Sequence, residues 1–313
     1  MAIAIFSAGA PGSGNGLITE DQLNDLVLAE RAFQLAMTDS ADLFDTPVIY
    51  MSDGTGSGSL VMRHRQLTLG WGLSMDATAA EDTSVSASSV TASKADVTIA
   101  RRSLRLDETG LARAVGSGWG FDPLSLGLTM VDSFRAGRMG ALATAIAGAS
   151  TNITSAGTGS VDDLYDIIDS FTTSTGDPGM LVGMLHPFTM ASIRDSLRSE
   201  VGPLQQRADV QAFLAKGAEM LLGMLCFPST KVTNAASKHE NAFMAAGAVA
   251  YSIAMPQANI GGNQIVAQPS DMPLLIEVER SAGSDTYKII ANGYDGLAIR
   301  EQARIRGLLA ATS

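Results

Sequence analysis

The sequence holds few of the residues on which disulfide scaffolds, metal sites and nucleic-acid binding depend. Only one of its 313 residues is cysteine and three are histidine. A single cysteine excludes an internal disulfide framework, and Cys226 stands in an apolar run that is typical of a core residue. The formal net charge of −11 disfavours a protein that grips nucleic acid, because phosphate affinity comes mainly from lysine and arginine. This charge is still compatible with a protein shell that encloses DNA without binding it tightly.

Sequence motifs for nucleotide binding and nucleophilic catalysis are also missing. The glycine-rich stretches 12–16 and 54–58 lack the G-x-G-x-x-G spacing, and no Gly-Lys pair or G-x-S-x-G elbow occurs. The three histidines stand far apart in the sequence, without metal-ligand spacing: His64, His186 and His239. We therefore expect no enzyme activity, no cofactor and no bound metal.

Long apolar runs are absent as well. Residues 1–6 are apolar but lack the basic segment and the length of a signal peptide. The most apolar later stretch, 243–255, is shorter than the ~20 residues that span a bilayer. The sequence therefore predicts a soluble protein that is made inside the cell and has no membrane partner.

Charged residues are scarce, at 17% of the chain against about 25% in ordinary soluble domains, and hydrophobic residues make up 46%. Two interpretations follow. Either the chain has an ordinary large core, or much of its surface is hidden against copies of itself. Composition alone favours neither.

Residues 54–93 form the most unusual segment. Glycine, serine, threonine and alanine dominate it, it contains no lysine, and short alternating patches such as 67–69 and 85–87 occur in it. It is much longer than an ordinary connection of about 4–6 residues. The alternation predicts an extended two-stranded hairpin. Because an isolated hairpin is only marginally stable in water, we expect this one to lean on another chain.

Helices and strands are predicted on both sides of this segment. An amphipathic helix is predicted over 19–37 and a short strand at 48–51. A firm strand at 97–99 runs into an arginine-rich stretch, 101–113. We interpret these arginines as partners of acidic residues at the surface or between subunits rather than as a DNA-binding site.

A long helix of about 25 residues is predicted to start at Asp122-Pro123, because aspartate caps helices and proline suits the first helical position. Its apolar residues recur at a spacing of three and four, while Arg135 interrupts them: Leu124, Leu128, Val131, Met139, Leu142 and Ile146. Each glycine in such a helix costs about 1 kcal/mol relative to alanine. Gly127, Gly137 and Gly140 therefore predict a close approach of another backbone.

Residues 160–273 have the pattern of a compact α/β lobe. Ser160 caps a helix, a buried strand is predicted at 180–185, His186-Pro187 opens a second helix, and a third is predicted near 208–216. The first helix carries four aspartates that fit its dipole and a solvated face better than a cation site: Asp162, Asp163, Asp166 and Asp169. After this lobe, 274–299 alternates as a long antiparallel hairpin or meander.

The order of these parts resembles the Hong-Kong-97-type major capsid protein of tailed bacteriophages. Four stretches carry the resemblance: 92–102 with 111–113, similar to the strand that leaves the extended loop; 122–150, the spine helix; 184–188 with the helix after it, the axial domain; and 273–279 with 287–299, the returning hairpin. The resemblance spans nearly the whole chain. No single motif in it is diagnostic.

The resemblance implies an α+β fold with an N-terminal arm, an extended loop, a peripheral domain with a long spine helix and a β-hairpin, and a compact α/β axial domain. It divides the chain into an arm and helix, 1–40; a peripheral domain, 41–53, 94–159 and 274–313; an extended loop, 54–93; and an axial domain, 160–273.

The resemblance also implies a function and partners. Copies of the chain would form hexamers and pentamers of an icosahedral head that encloses double-stranded DNA without sequence-specific binding. The virion would be assembled in the bacterial cytoplasm with a portal protein, and a scaffolding or decoration protein is a further candidate partner. Five arginines are candidates for contacts between subunits: Arg63, Arg65, Arg101, Arg102 and Arg105.

Two features depart from some members of that family. Members with a built-in scaffold carry a long cleaved segment, whereas about 40 residues precede the predicted fold in this chain, so a scaffold is expected to be a separate protein. Members that cross-link chemically need a lysine in the extended loop, and 54–93 contains none.

Other interpretations stay open. The nearest is an encapsulin-like compartment of the same fold, which houses a cargo enzyme. An α/β hydrolase or transferase built on 160–273 is a remote alternative. The predicted helices disfavour a tail protein.

Overall fold

The computed structural model describes residues 43–67, 92–109, 123–147, 151–175, 179–201, 219–256, 264–267, 274–281 and 286–312. The chain has an α+β fold, which confirms the predicted fold class. Within these ranges, no helix is both long and apolar enough to cross a membrane. The helices predicted at 19–37 and 208–216 lie outside the described residues.

Strands outnumber helices in the described part of the chain. The helices are α1 (Pro123–Ala147), α2 (Val161–Thr175) and α3 (Pro187–Val201). The strands are β1 (Ile49–Asp53), β2 (Val61–Leu67), β3 (Ala92–Thr98), β4 (Ala100–Thr109), β5 (Thr151–Thr154), β6 (Val182–Leu185), β7 (Glu219–Leu221), β8 (Met224–Pro228), β9 (Asn234–Ala235), β10 (Lys238–Met244), β11 (Val249–Ile253), β12 (Gln264–Ala267), β13 (Leu274–Ser281), β14 (Thr286–Ile299) and β15 (Ile305–Ala311). Short 3-10 helices lie at Leu43–Asp45 and Gln302–Arg304.

The long strand β14 organises a six-stranded sheet. Its first part pairs antiparallel with β13, and its last part pairs antiparallel with β11. Asp295 is opposite both Ile253 of β11 and Ala100 of β4, so β11 and β4 lie on opposite edges of β14. β1 adds to β11 in parallel, and β12 adds to β13. The arginine-rich stretch is therefore a sheet strand, β4, separate from β3.

A mixed sheet of seven strands forms the α/β lobe, in the order β5-β15-β10-β6-β8-β7 with β9 on β10. Its strands alternate between two cores. Met184 and Met244 face the core that contains the end of α1, whereas Leu185 and Phe243 face the core beneath α2 and α3. Cys226 is fully buried in the second core, which confirms the prediction for this residue. Both faces of the sheet are thus covered.

Helix α1 confirms the predicted long helix, and it runs for 25 residues. Of the predicted stripe, Leu142 and Ile146 are buried and Met139 is half-buried, while the side chains of Leu124, Leu128 and Val131 are outside the described part. Met130, Phe134 and Arg138 are buried together with Leu142 and Ile146, a spacing of four throughout. Arg138 is fully buried and stacks its guanidinium 4.6 Å from the ring centre of Phe44. Arg138 also interacts with Tyr251 and with the charge of Asp295, so the ring and these two groups together compensate its burial.

The glycines of α1 do not have the predicted role within this chain. A Cβ atom built on Gly137 or Gly140 would meet no atom within 4 Å outside its own helix turn. The expected close backbone approach is therefore wrong at these two positions in the folded subunit. It occurs instead at Gly296 of β14, where an added Cβ would overlap the carbonyl oxygen of Thr98 and lie 2.8 Å from its carbonyl carbon. There the path between β3 and β4 crosses directly over β14.

Helix α2 begins as predicted, through a reciprocal cap. The backbone N–H of Asp163 donates to Ser160 Oγ, and the Asp163 carboxylate accepts from the backbone N–H of Ser160 at 2.7 Å and from Ser155 Oγ at 2.8 Å. Backbone donors at the start of the helix gain partners in this way.

The four aspartates of α2 do not share one environment. Asp162, Asp166 and Asp169 are exposed, as a solvated face requires. Asp163 is buried instead, because its carboxylate is part of the cap. In the described part of the chain, no three potential ligands gather into a metal site.

The chain passes between the two sheets at 245–248 and again at 300–304, and these passages are hydrogen-bonded to each other. The N–H groups of Arg300 and Glu301 donate to the Ala248 carbonyl, at 2.9 and 3.1 Å. The Ala245 N–H donates to the Arg304 carbonyl at 3.0 Å. Arg304 Nη1 in turn donates to the carbonyl of Ala246 at 2.5 Å.

The two sheets do not follow the domain boundaries that the resemblance implies. β15, within 274–313, belongs to the sheet of the α/β lobe, and so does β5, within 94–159. β11, within 160–273, belongs to the sheet built on β14. The reason lies in long-range pairing, which local patterns do not reveal. The four-part domain division itself stays a prediction.

Candidate subunit interface

A two-stranded hairpin, β2 with β3, stands apart from both larger sheets. Its strands pair antiparallel from Val61 opposite Thr98 to Leu67 opposite Ala92. The hairpin predicted over 54–93 contains β2, but its second strand is β3 at 92–98, which the sequence analysis assigns mostly to the segment after the loop. The far end, 68–91, lies outside the described residues. Along β3, burial alternates residue by residue, with Ala95 and Val97 buried and Lys94 and Asp96 exposed. One face therefore rests on the six-stranded sheet and the other faces outward.

The outward face carries an exposed ion pair. Arg63 Nε donates to Asp96 Oδ1 at 2.9 Å, and Lys94 Nζ lies 3.8 Å from Asp96 Oδ2. The hydrogen bond from Arg63 lowers the pKa of the Asp96 carboxyl below its ordinary value. In the register, Arg65 stands opposite Lys94. Exposed pairs of this kind contribute little stability, because water and salt screen them, so these charges are available to a partner surface.

The inward face holds the root of the hairpin, meaning residues 60–64 and 95–99, on the sheet. His64 is buried, and its Nε2 lies 2.9 Å from Ser252 Oγ of β11 and 3.3 Å from Ser52 Oγ of β1. The two hydroxyl oxygens are 2.9 Å apart. None of the described carboxylates hydrogen-bonds this imidazole. The group therefore lacks the acidic member of a nucleophilic triad, and it acts as a polar attachment of β2 to β1 and β11.

Apolar side chains are exposed around the same root. Leu60 is 73% exposed and Val61 is 42% exposed, and on β1 Tyr50 and Met51 are also open to solvent. The Leu60 carbonyl accepts a hydrogen bond from the Ile99 N–H at 2.8 Å, so its backbone is held while its side chain points outward. Large exposed apolar residues that gather at one place mark interaction surfaces more often than scattered ones do.

The remaining arginine candidates lie on β4. Arg102 Nε donates to Asp295 Oδ1 at 2.5 Å, and Tyr251 Oη donates to Asp295 Oδ2 at 3.3 Å. Burial raises the pKa of Asp295, and the charge of Arg102 opposes that rise. Arg105 pairs with exposed Asp107 at 2.6 Å. Arg102 thus has a partner within its own chain, in addition to any contact between subunits.

Arg101 and Arg105 lie on exposed positions of β4, whereas Arg63 and Arg65 lie on β2. The structure therefore places the five candidates on two separate strands. Their role in contacts between subunits stays a prediction.

Two histidines that are distant in the sequence meet in the α/β lobe. The rings of His186 and His239 stack with their centres 3.7 Å apart, at an angle of 12° between planes. Burial lowers the pKa of both imidazoles. Beneath them, buried Asn241 accepts from the His186 N–H at 2.7 Å and donates to the Leu308 carbonyl at 3.1 Å. Sequence spacing gave no sign of this pair, because it depends on how β6 and β10 align.

No protein-family model matches the chain, and no curated protein matches its sequence. Solved structures do match it. The capsid of Ralstonia phage GP4 gives a TM-score of 0.63 at 10% identity, over 88% of this chain and 92% of that one. The capsid of Cyanophage P-SCSP1u gives 0.58 at 12% identity, over 88% and 89%. The SrpI encapsulin of Synechococcus elongatus PCC 7942 gives 0.53 at 12% identity, over 88% and 91%.

These likenesses define the fold. The chain has the Hong-Kong-97-type fold of phage capsid and encapsulin subunits, which confirms the resemblance seen in the sequence.

Proposed function

We propose that the chain is the major capsid protein of a tailed bacteriophage. In this proposal, copies assemble as hexamers and pentamers into an icosahedral head that encloses double-stranded DNA. The observation that carries the proposal is the β2–β3 hairpin, which leaves the six-stranded sheet at its root and pairs with no other strand among those described.

The energetics of the hairpin support assembly. A two-stranded hairpin is marginal in water unless another surface covers it. The root adds exposed Leu60, Val61 and Met51, which would be buried against a neighbouring subunit. Permanent interfaces commonly bury about 2,000 Å² or more and are richer in apolar groups than ordinary surface. The low charge of the chain, 17% of its residues, agrees with a subunit that hides much of its surface.

The partners follow from this proposal. The principal one is the chain itself, and a portal protein closes one vertex of the head. A separate scaffolding protein and a decoration protein are further candidate partners. DNA is enclosed without sequence-specific contacts and no cofactor takes part, so the protein resides in the virion and is assembled in the host cytoplasm. Arg63, Arg65 and Arg101 are proposed to meet acidic residues of neighbours, as are Arg102 and Arg105 through their outer sides.

Electron microscopy of the purified full-length protein tests the proposal. We expect closed shells, or rings of five and six subunits, in negative stain. Light scattering measures whether the protein assembles in solution. A protein that stays a monodisperse monomer at high concentration is incompatible with a shell-building subunit.

An encapsulin-like compartment is the second candidate, and the similarity to the SrpI encapsulin favours considering it. The contents of particles distinguish the two functions. Nuclease-protected double-stranded DNA and a portal at one vertex favour the phage head. A copurifying cargo enzyme without DNA favours the compartment.

A further inference from the structure

A buried imidazole hydrogen-bonds the root of the hairpin to the sheet, beside the packing of Ala95 and Val97. His64 of β2 is only 6% exposed, and Ser252 beneath it is fully buried. Its Nε2 shares two hydroxyl groups, Ser252 Oγ at 2.9 Å and Ser52 Oγ at 3.3 Å. The ring also stands edge-on to Tyr50, with centres 5.6 Å apart. Three strands, β1, β2 and β11, therefore meet at this side chain.

The surroundings of His64 are unfavourable for a second positive charge. Among the described residues, the titratable or charged groups that face it are Tyr50 from β1 and Arg300, which follows β14 and stacks 4.6 Å from the Tyr50 ring centre. β11 contributes the neutral Ser252, and β3 places Ala95 opposite His64. The acidic Asp96 pairs with Arg63 on the outward face of the hairpin. No described carboxylate is therefore in place to neutralise an imidazolium here.

We propose that the root of the hairpin is an acid-sensitive latch, in which neutral His64 docks β2 on β1 and β11 and protonated His64 releases it. Release removes this polar attachment of β2 and leaves the packing of β3 on the sheet, where buried Val97 and the backbone of Thr98 lie against Gly296 of β14. The hairpin can then change its direction without unfolding either larger sheet. The proposal concerns the subunit itself and stands whether or not the subunit builds shells.

The direction of the pH effect follows from linkage. Burial, and secondarily the charge of Arg300, lower the pKa of His64 from its ordinary value of 6.5 in the docked state. An undocked imidazole regains the ordinary value, so the undocked state binds a proton more tightly. Docking is therefore fully favourable above pH 6.5, weakens as the pH falls below it, and stops weakening below the docked pKa.

Hydrogen exchange of the full-length protein, read by mass spectrometry at pH 7.5 and pH 5.0, tests the latch. We expect the protection factors of β2 and β3 amides to fall by about tenfold for each pH unit between the two pKa values, while β10 and β15 stay protected. His64→Gln, which keeps a hydrogen-bonding side chain without the titration, is expected to remove this fall. His239→Gln is the matched control, because it removes another buried imidazole far from the hairpin, and it is expected to retain the fall.

Two results would overturn the latch: unchanged hairpin protection in the wild-type protein at both pH values, or the same fall in His64→Gln as in the wild type. If His64→Gln does not fold, the same hydrogen-exchange measurement on Arg300→Gln tests the latch. Removal of the Arg300 charge narrows the gap between the docked and undocked pKa values of His64. A smaller fall in hairpin protection than in the wild type therefore supports the latch, and an equal fall overturns it.

Discussion

Arg102 of β4 and Asp295 of β14 form an ion pair at 2.5 Å in which the carboxylate side chain is fully buried. Tyr251 donates a second hydrogen bond to the same carboxylate. Burial of the Tyr251 phenol raises its pKa far above the ordinary value, so it stays a donor throughout the range in which proteins are handled. The pair joins β4 to β14 at the point where the hairpin path leaves the sheet.

Arg102→Met is expected to lower the free energy of unfolding by about 3 kcal/mol at pH 7.5, because buried Asp295 loses its hydrogen-bonded cation and keeps, among the described residues, only the charge of Arg138. Urea unfolding measures this change. Arg105→Met, on the same strand, removes the exposed pair with Asp107 and is expected to lower the free energy of unfolding much less, because water and salt screen that pair. Equal losses from the two substitutions would show that burial of Asp295 is not what makes its pair important.

The loss in free energy of unfolding caused by Arg102→Met, its stability deficit, should also depend on pH. The pKa of Asp295 is already raised by burial, and the loss of Arg102 raises it further. A carboxyl whose folded pKa is raised favours the folded state at low pH and loses that advantage as the pH rises through the folded pKa. The deficit is therefore expected to shrink as the pH is lowered from 7.5 toward 5. A deficit that grows on acidification would contradict this assignment.

Gly296→Ala is expected to displace the hairpin root, because the new Cβ would overlap the backbone oxygen of Thr98. A backbone atom cannot turn aside as a flexible side chain can. We expect a loss of about 1–3 kcal/mol and faster hydrogen exchange in β3. Gly140→Ala is the matched control: nothing stands within 4 Å of its Cβ, so it should stabilise α1 by about 0.5–1 kcal/mol. A neutral Gly296→Ala would mean that β3 does not cross β14 this closely.

Replacement of residues 68–91 by an Asn-Gly turn is expected to leave the α/β lobe folded and to abolish shells. The turn suits an antiparallel hairpin, and β2 and β3 are retained. Protection of β6 and β10 amides reports on the lobe, and electron microscopy reports on assembly. Normal shells from this variant would remove the hairpin from the contacts between subunits.

The assembled particle is expected to be held without covalent links between subunits. Residues 54–93 contain no lysine, and the lone cysteine, Cys226, is fully buried beneath α2 and α3. The expectation that Lys94 stands at the base of the loop is wrong, because it lies on the exposed face of β3 within the hairpin, with Asp96 3.8 Å away. Boiling particles in detergent without reductant should give a single band near 32.5 kDa. A ladder of multiples that survives reductant would reveal a bond formed by other residues.

Local signals predicted the helices well. Asp122-Pro123 and Ser160 act through the residues next to them, so α1 and α2 begin where the capping patterns indicate. The existence of a hairpin was predicted for a similar reason, since alternation and length are both properties of one continuous segment. Its second strand, 92–98, lies beyond the predicted bound of 93, because strand pairing is not visible in the sequence pattern.

Relationships between distant residues could not be predicted in the same way. The pairing of β15 with β5 and β10 joins segments that are far apart in the sequence. The buried Arg138 meets Phe44 and the charge of Asp295, both distant in the sequence. The stack of His186 on His239 depends on the alignment of two strands. The attachment of His64 was missed because Ser52 and Ser252 are unremarkable in the sequence and become a site only when β1 and β11 pair.

The hydrogen-bonded passages at 245–248 and 300–304 have a mechanical consequence. Each half of the subunit is built from chain segments on both sides of these passages, so no single cut separates the two sheets into independent pieces. A pull on the hairpin reaches β15 through continuous backbone, and the neighbouring passage, bonded through Ala248 and Ala245, shares that tension. The two sheets should therefore move as one unit and not hinge against each other at these passages.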